Sequence, residues 1–448
     1  MATVNSLRLL TTVGAGDYAP TRYRLSDESG AADEWELETQ FCSVSLAARF
    51  KPKEVVVFAT QKAREKWLDG PEGTTAGSQL KSQLDQACPQ VDLQVVNIPD
   101  GSSEDEIWQI FEVLTKALQP NDRIVLDITH GFRSLPLLLV LAAVFLRVAK
   151  RVKLEGIYYG AWESRDRDQN VSPVFNLTPF ISLLDFAGAT EFFLATGNAK
   201  LLADLLVRII KPINQALPDK RLYDDLRTYS DSLVHFSTAY QLAQPLEVSQ
   251  TAGKVKEFDS RSDFELISIE AHSISAYLLV LDRVRQAIEP LTTGDESVCT
   301  RDSLAAQYAL IRTYIRHGQE LHAITLAREW LVSLACYSAI VHHKQKVDWL
   351  NTKDRTQIGR DLMNMTNAKH STVEIFVHYS EDIALQSLAR CYENVCRLRN
   401  KTAHCGMMSS DDEDSEISLS NLIISIRKVC DGDLVTVAKQ YDVEARRV

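Results

Sequence analysis

One short segment constrains the fold of this chain more than any other. Residues 124–126 form an apolar, strand-like run, residues 127–136 are mostly polar and contain Gly131, and residues 137–148 form an apolar, helix-like run. A strand that continues into a helix through such a turn leaves backbone N–H groups at the helix N-terminus, where they attract anions. The segment therefore predicts a strand–turn–helix unit with an anion or nucleotide site at the turn.

The N-terminal part of the chain alternates between strand-like and helix-like patterns. Ser103 and Glu106 have the spacing of a capping box, which predicts the start of one of the helices. Repeated strand–helix–strand units need crossover connections, which favour a mainly parallel, Rossmann-like sheet with helices on both faces. We expect strands at 7–13, 54–60, 92–98, 124–128 and 154–159, and helices at 36–50, from the capping box to 118 and from about 135.

The polar stretch 161–171 predicts the end of this α/β domain, and helical periodicity dominates from about residue 183 onward. The expected division is 1–182 for an α/β sensing domain, 183–295 for a helical connecting region and 296–448 for a second, all-α domain. The longer helices of these two regions are expected at 199–209, 222–242, 263–288, 304–317, 320–341, 382–399 and 419–429.

Composition excludes several classes of protein. A formal net charge of -11 over 448 residues argues against a protein that coats nucleic acid with a broad basic surface. The eight cysteines include no Cys-x-x-Cys pair, which predicts reduced thiols and no metal site. Because no apolar run reaches the roughly 20 residues of a membrane span, and the N-terminus lacks a secretory signal, we expect a cytoplasmic protein with no membrane partner.

A second motif lies near the other end of the chain, where Arg399 and Asn400 precede His404. Arg399 and His404 point about 140° apart on one undistorted helix, so they act together only if the helix ends between them or a second subunit completes the site. An imidazole can move a proton at neutral pH, a guanidinium can hold a phosphate, and the Asn400 amide can orient RNA. Such a site could cleave RNA by transesterification. RNA supplies its own 2'-hydroxyl nucleophile for this reaction, so no metal is needed. The structural alternative is that cationic residues simply favour a helix C-terminus.

Two resemblances give these motifs a context. The N-terminal region resembles the CARF domain of CRISPR-associated proteins of type III systems through five stretches in the same order: 10–18, 20–23, 58–67, 127–136 and 176–179. The C-terminal region resembles a HEPN ribonuclease domain, in which Arg399, Asn400 and His404 match the Arg-Asn-x-x-x-His form of the family motif. Together they resemble the CARF-HEPN ribonucleases that cyclic oligoadenylates activate.

The resemblance implies a homodimer, or a higher oligomer of dimers, in which two CARF domains bind one ring of adenylates. The tetra-adenylate is the favoured activator, single-stranded RNA is the implied substrate, and paired Arg and His residues form the nuclease site between subunits. Asp127 is expected to order the turn rather than to contact an anion. The expected ligand-binding residues are Gly14, Ala15, Gly16, Thr129, His130, Gly131, Phe132 and Arg133.

Three alternatives accompany this interpretation. The first is a nucleotide-sensing regulator without nuclease activity, since related sensor domains are also fused to DNA-binding helices. The second is a dinucleotide-dependent enzyme, which is disfavoured because the sequence after Gly14 and Gly16 lacks the third glycine and a directly following helix. The third adds slow cleavage of the activator by the sensing domain itself, which the sequence does not decide.

Overall fold

The computed structural model describes residues 6–25, 35–69, 79–131, 134–216, 220–258, 272–294, 297–366, 373–376, 378, 381–403 and 418–443. The chain divides into two compact units, Met1–Ser182 and Leu183–Val448. The first is an α/β unit. Within the second unit, the described secondary structure consists of helices. This confirms the predicted fold class of a mainly parallel sheet followed by a helical region.

One sheet organises the first unit, with the strand order β3-β2-β8-β7-β6-β1-β4-β5 among the described residues. The five strands from β7 to β5 are parallel to one another, β8 is antiparallel to β7, and β3 is antiparallel to β2. The strands are β1 Leu7–Val13, β2 Thr21–Leu25, β3 Trp35–Thr39, β4 Glu54–Ala59, β5 Asp92–Asn97, β6 Arg123–Asp127, β7 Lys153–Gly160 and β8 Val171–Asn176.

Helices cover both faces of the sheet because successive strand residues point to opposite sides. Leu9 packs into the core on one face, whereas its neighbour Leu10 packs into the core on the other. Helices α1 to α3 contribute to the first core, and α4 and α5 contribute to the second. These helices are α1 Cys42–Phe50, α2 Gln61–Trp67, α3 Gln79–Ala87, α4 Glu104–Ala117 and α5 Ser134–Ala149.

Two predictions about this unit are wrong. The expected helix over 36–50 is divided, because Trp35–Thr39 pairs with β2 as a strand and only Cys42–Phe50 is helical. The stretch 161–171 does not end the sheet, since Val171–Asn176 adds β8 beside β7. In both places long-range strand pairing overrides the local pattern.

The predicted capping box is confirmed in one half. Ser103 is the N-cap of α4, and its hydroxyl accepts a hydrogen bond from the Glu106 backbone N–H at 3.2 Å. The Glu106 carboxylate instead accepts from the backbone N–H and the hydroxyl of Ser102, both at 2.8 Å. These bonds lower the pKa of Glu106, with the Ser102 backbone N–H as the largest cause.

The second unit packs its helices around one continuous apolar core, in which Trp330 is fully buried and donates from Nε1 to the Leu304 carbonyl at 2.9 Å. One described helix, Glu320–Val341, is long and apolar enough to cross a membrane, but 72% of its apolar window is buried inside the protein. The helices are α6 Thr178–Thr196, α7 Lys200–Ala216, α8 Lys220–Gln241, α9 Pro245–Phe258, α10 His272–Ile288, α11 Arg301–Arg316, α12 Glu320–Val341, α13 Thr352–Thr366, α14 Ile383–Ala403, α15 Leu419–Lys428 and α16 Leu434–Gln440.

Candidate functional site

The sheet topology brings the two predicted glycine-containing loops together. Strands β4 and β5 lie on one side of β1, whereas β6 and β7 lie on the other, so the strand order reverses between β1 and β6. Ligands of open α/β sheets bind at the carboxyl ends of the strands at such a reversal. A Cβ atom built on Gly14, just after β1, would lie 3.4 Å from the Cα atom of Gly131, just after β6. The loops after these two strands are therefore in contact.

The loop after β1 is anchored at Gly14 and open at Gly16. The Gly14 N–H donates to the Tyr18 hydroxyl at 3.0 Å, and the Gly14 carbonyl accepts from Trp67 Nε1 at 3.0 Å. The Ala15 carbonyl accepts from Lys66 Nζ at 3.0 Å. Gly16 is exposed, and a Cβ atom there would meet nothing within 4 Å. Of the three predicted ligand residues in this loop, Gly16 has the most accessible backbone.

The loop after β6 depends on Gly131. Its φ angle of +126° is one that residues with a side chain rarely adopt, and a Cβ atom there would lie 2.7 Å from Thr12 Oγ1. Thr12 Oγ1 donates to the His130 carbonyl, which holds the loop against β1. Gly131 itself is exposed, so its backbone lies at the surface of the predicted site.

Asp127 orders this turn from within the protein. The carboxylate is fully buried and accepts hydrogen bonds from Thr11 Oγ1 at 2.8 Å and from the Thr129 N–H at 3.0 Å. The Thr129 hydroxyl in turn accepts from the Gly160 N–H at 2.8 Å. The expected role of Asp127 in ordering the turn is confirmed.

The His130 imidazole is built into the fold. Its Nε2 atom accepts a hydrogen bond from the Cys42 N–H at 3.3 Å, at the start of α1, and its ring lies 4.3 Å from the Tyr18 ring centroid. Burial lowers the pKa of His130, while the nearby Asp127 acts in the opposite direction. A neutral ring that accepts from the backbone positions the turn, and direct ligand contact by this imidazole stays a prediction.

Sequence reasoning missed Gly160 and Cys42, whose backbone N–H groups bond to Thr129 and His130 of the turn. A Cβ atom at Gly160 would lie 2.7 Å from the Tyr23 ring and 3.0 Å from Cys42 Sγ, so only glycine fits there. Burial raises the pKa of the Cys42 thiol, and the neighbouring Asp127 acts in the same direction. The only local sign in the sequence is a glycine directly after the expected strand 154–159. The residues that leave no room for a side chain there, Tyr23 and Cys42, come from β2 and α1 and are distant in sequence.

Two predicted ligand residues, Phe132 and Arg133, lie outside the described residues. The described chain resumes at Ser134, where α5 begins. Their predicted stacking and phosphate contacts therefore stay predictions.

The C-terminal motif lies on α14, which carries Arg399 and Asn400, whereas His404 lies outside the described residues. Arg399 Nη1 donates to Asn400 Oδ1 at 3.3 Å. Arg399 Nε is buried and has no hydrogen-bond partner among the described residues. A buried guanidinium N–H without an acceptor is costly, and a ligand or a further chain that supplies an oxygen removes that cost.

A charged pair of α12 lies near the same side of α14 as Arg399. Tyr392, Cys396 and Arg399 are spaced four and three residues apart, so they share one side of the helix. The Arg328 guanidinium lies 5.8 Å from the Tyr392 ring centroid and pairs with Glu329. This side of α14 therefore combines the Arg399 guanidinium with the Arg328–Glu329 ion pair of α12.

Comparison with known proteins assigns the class of the first unit. Residues 8–163 match the family model described as the CARF domain of the CRISPR system endoribonuclease Csx1. The N-terminal unit is therefore a CARF domain, and the predicted class of a CARF-containing, CRISPR-associated protein is confirmed.

Two particular proteins are similar to this chain. A CRISPR-associated protein of Methanocaldococcus jannaschii is 36% identical over 128 residues, which cover 28% of this chain and 20% of that protein. The match thus spans about a fifth of the length of that relative. The structure of Enterococcus italicus Csm6 bound to cyclic hexa-2'-fluoro-hexa-dAMP covers 97% of this chain and 95% of its own, with 11% identity and a TM-score of 0.41.

Proposed function

We propose that this protein is a single-stranded RNA endoribonuclease of type III CRISPR defence that a cyclic oligoadenylate activates and that cleaves without a metal. The observation that carries the proposal is the match of residues 8–163 to the CARF domain of an endoribonuclease family. The motif formed by Arg399, Asn400 and His404 in the sequence supports the nuclease part of the proposal. The cytoplasm is the proposed location.

The sensing site lies at the carboxyl ends of β1 and β6. The exposed backbones of Gly16 and Gly131 offer N–H groups to phosphates, and Thr129 lies beside them. Phe132 and Arg133 are proposed to stack on adenine and to bind phosphate, respectively. The buried hydrogen bonds of Asp127 and His130 hold this turn in place before the ligand arrives, which lowers the entropy cost of binding.

A second copy of the chain is proposed to cover the exposed face of α5. Leu137, Leu141, Phe145 and Val148 recur at helical spacing and are 61%, 50%, 55% and 86% exposed. Contiguous apolar stripes of this kind are typical of protein interfaces. Because α5 starts just after the predicted ligand turn, a symmetric contact along this stripe brings two ligand turns towards one ring of adenylates.

The nuclease site is proposed to use Arg399, Asn400 and His404 from each of two subunits. One His404 accepts the proton of the RNA 2'-hydroxyl as its oxygen attacks the adjacent phosphorus. Arg399 stabilises the negative charge on the phosphate oxygens, and the bond to the 5'-oxygen of the next nucleotide breaks as that oxygen takes up a proton. The products are a 2',3'-cyclic phosphate and a 5'-hydroxyl. The buried Arg399 Nε that has no acceptor among the described residues is consistent with a site completed by RNA and a partner subunit.

The decisive experiment measures cleavage of a fluorescent single-stranded RNA in excess chelator, with cyclic tri-, tetra- or hexa-adenylate added separately. We expect one ring to activate cleavage, with the tetra-adenylate favoured. The His404→Ala variant should lose this activity, whereas Arg390→Ala, an exposed change on α14, should retain it.

The opposite result has a specific meaning. Ring binding without RNA cleavage by the wild-type protein would reject the nuclease and leave a nucleotide-sensing regulator. Cleavage that His404→Ala retains would instead place the chemistry at other residues.

A further inference from the structure

A cavity of about 220 Å³ lies inside the helical unit, between α6, α8, α10 and α11, and neither Arg399 nor Asn400 is among its described lining residues. Its inner wall is apolar and largely aromatic, formed by Phe193, Phe236, Tyr240, Ile288 and Leu291. The volume is below the usual range for drug-sized ligands, so the cavity suits a small molecule. An apolar wall of this kind favours a flat hydrocarbon or aromatic body.

The aromatic wall is held in one arrangement by specific contacts. The Tyr240 hydroxyl lies 2.7 Å from His317 Nδ1, and the Tyr240 carbonyl accepts from the Tyr314 hydroxyl at 2.6 Å. Gly197 has a φ angle of +72°, and a Cβ atom there would lie only 2.3 Å from the Tyr240 ring. The glycine therefore allows the ring to approach the end of α6, and the cavity exists without a ligand.

The charged groups among the described lining residues of the cavity are all basic. Arg283 and Arg316 line it, both are exposed at their helix surfaces, and neither forms an ion pair within the described part of the chain. No acidic residue is among the described residues of the lining. The His317 ring already bonds to Tyr240, so the two guanidinium groups are the donors left for a ligand. Guanidinium groups bind carboxylate, sulfonate and phosphate oxygens through charge-assisted hydrogen bonds.

We infer that this cavity is a second binding site, which accepts a small aromatic anion with its ring against Phe236 and Tyr240 and its charged group on Arg283 and Arg316. The cavity is lined by other residues than those proposed for adenylate binding and those described of the nuclease motif, so the inference does not rest on the proposed function. The aromatic wall favours a flat body, and the two arginines favour a negative charge.

The test uses a pair of probes with the same body and different charge. Naphthalene-2-sulfonate is the anionic probe, and naphthalene-2-sulfonamide is its neutral counterpart. Isothermal titration calorimetry with the full-length protein should show one sulfonate bound per chain, at least about tenfold more tightly than the sulfonamide, because charged hydrogen bonds contribute this much or more.

Three variants assign the binding to this cavity. Arg283→Leu and Arg316→Leu should each weaken sulfonate binding about tenfold and leave sulfonamide binding unchanged. Ala287→Trp, which fills the cavity, should abolish the binding of both probes. Arg227→Leu is the matched control, because it changes an exposed arginine on α8 at a distance of about 20 Å along the helix from Tyr240, and it should bind both probes like the wild type.

Several outcomes would overturn the inference. These are no binding of either probe, equal binding of the two probes, or sulfonate binding that both arginine variants retain. If Ala287→Trp does not fold, the exposed arginine variants still decide the matter, since they leave the core intact.

Discussion

The two ends of this chain build their candidate sites in different ways. The turn after β6 uses buried groups of its own domain, because Asp127, Thr12 and Cys42 hold residues 127–131 through hydrogen bonds within the unit. On α14, by contrast, Arg399 keeps a buried Nε that no described residue satisfies. The difference indicates that described groups of the same unit hold residues 127–131, whereas any acceptor for Arg399 Nε lies outside the described residues. In the proposed function, RNA and a partner subunit are the components that supply this acceptor.

The largest effect is expected from Arg399→Ala. Loss of the guanidinium removes stabilisation of charge at the phosphate, so the rate of ring-activated RNA cleavage should fall at least about a hundredfold. The free energy of unfolding should hardly change or should rise, because the variant also removes an unsatisfied buried N–H. Cleavage kinetics and urea unfolding measure the two effects. A strongly destabilised variant would mean that Arg399 is a structural residue, and the contrast between the two sites would then fail.

Leu141→Glu tests whether a second copy of the chain is the missing component. A carboxylate in the middle of the α5 stripe should weaken the dimer by about 3 kcal/mol, roughly a hundredfold in the dissociation constant. Sedimentation velocity over a range of concentrations measures this change, and cleavage should fall in parallel. Leu350→Glu, at a 47% exposed position in the helical unit, is the matched control. An unchanged dimer in the α5 variant would place the interface on another surface.

Gly131→Ala and Gly16→Ala test the prebuilt turn. The new methyl group at 131 meets Thr12 Oγ1 and requires an unfavourable φ angle, so we expect a loss of about 1–3 kcal/mol in stability and weaker adenylate binding. The methyl group at 16 enters open space and should change stability by less than about 0.5 kcal/mol. Thermal unfolding with and without the ring compares the two variants. Equal effects would show that the turn is not held against β1.

The smallest effect concerns pH. Burial lowers the pKa of His130, so the unfolded chain takes up its proton first as the pH falls below about 6.5. The contribution of His130 to the free energy of unfolding is therefore fully present above that pH. It is lost as the pH falls from there to the lower pKa of the folded state, by at most about 1.4 kcal/mol per pH unit. His130→Gln should flatten the unfolding free energy between pH 5 and about 6.5. His317→Gln should act in the same direction but more weakly, because its ring is only half-buried. An unchanged pH dependence in His130→Gln would refute the buried, neutral imidazole.

Much of the α/β unit was predictable because its signals are local. The strands 7–13, 54–60, 92–98, 124–128 and 154–159 show apolar runs of strand length, and their alternation with helices requires a parallel sheet. The proposed position of the ligand site follows from the rule that ligands bind at the carboxyl ends of parallel strands. Trp35–Thr39 and Val171–Asn176 were missed because each is defined by pairing with another strand. The two pairs join one sheet only through the contact of β2 with β8, which are distant in sequence.

The sequence by itself determined the mainly parallel α/β unit followed by a helical region, the CARF class of the first unit and the positions of both motifs. The tertiary structure alone decided that Gly160 must be glycine, that the His130 ring turns inward to Cys42, and that Arg283 and Arg316 meet at one cavity. The physical reason is the range of the interactions involved. Hydrophobic periodicity and capping act over a few residues, whereas the space around a side chain and the acceptors within its reach depend on residues that only folding brings together.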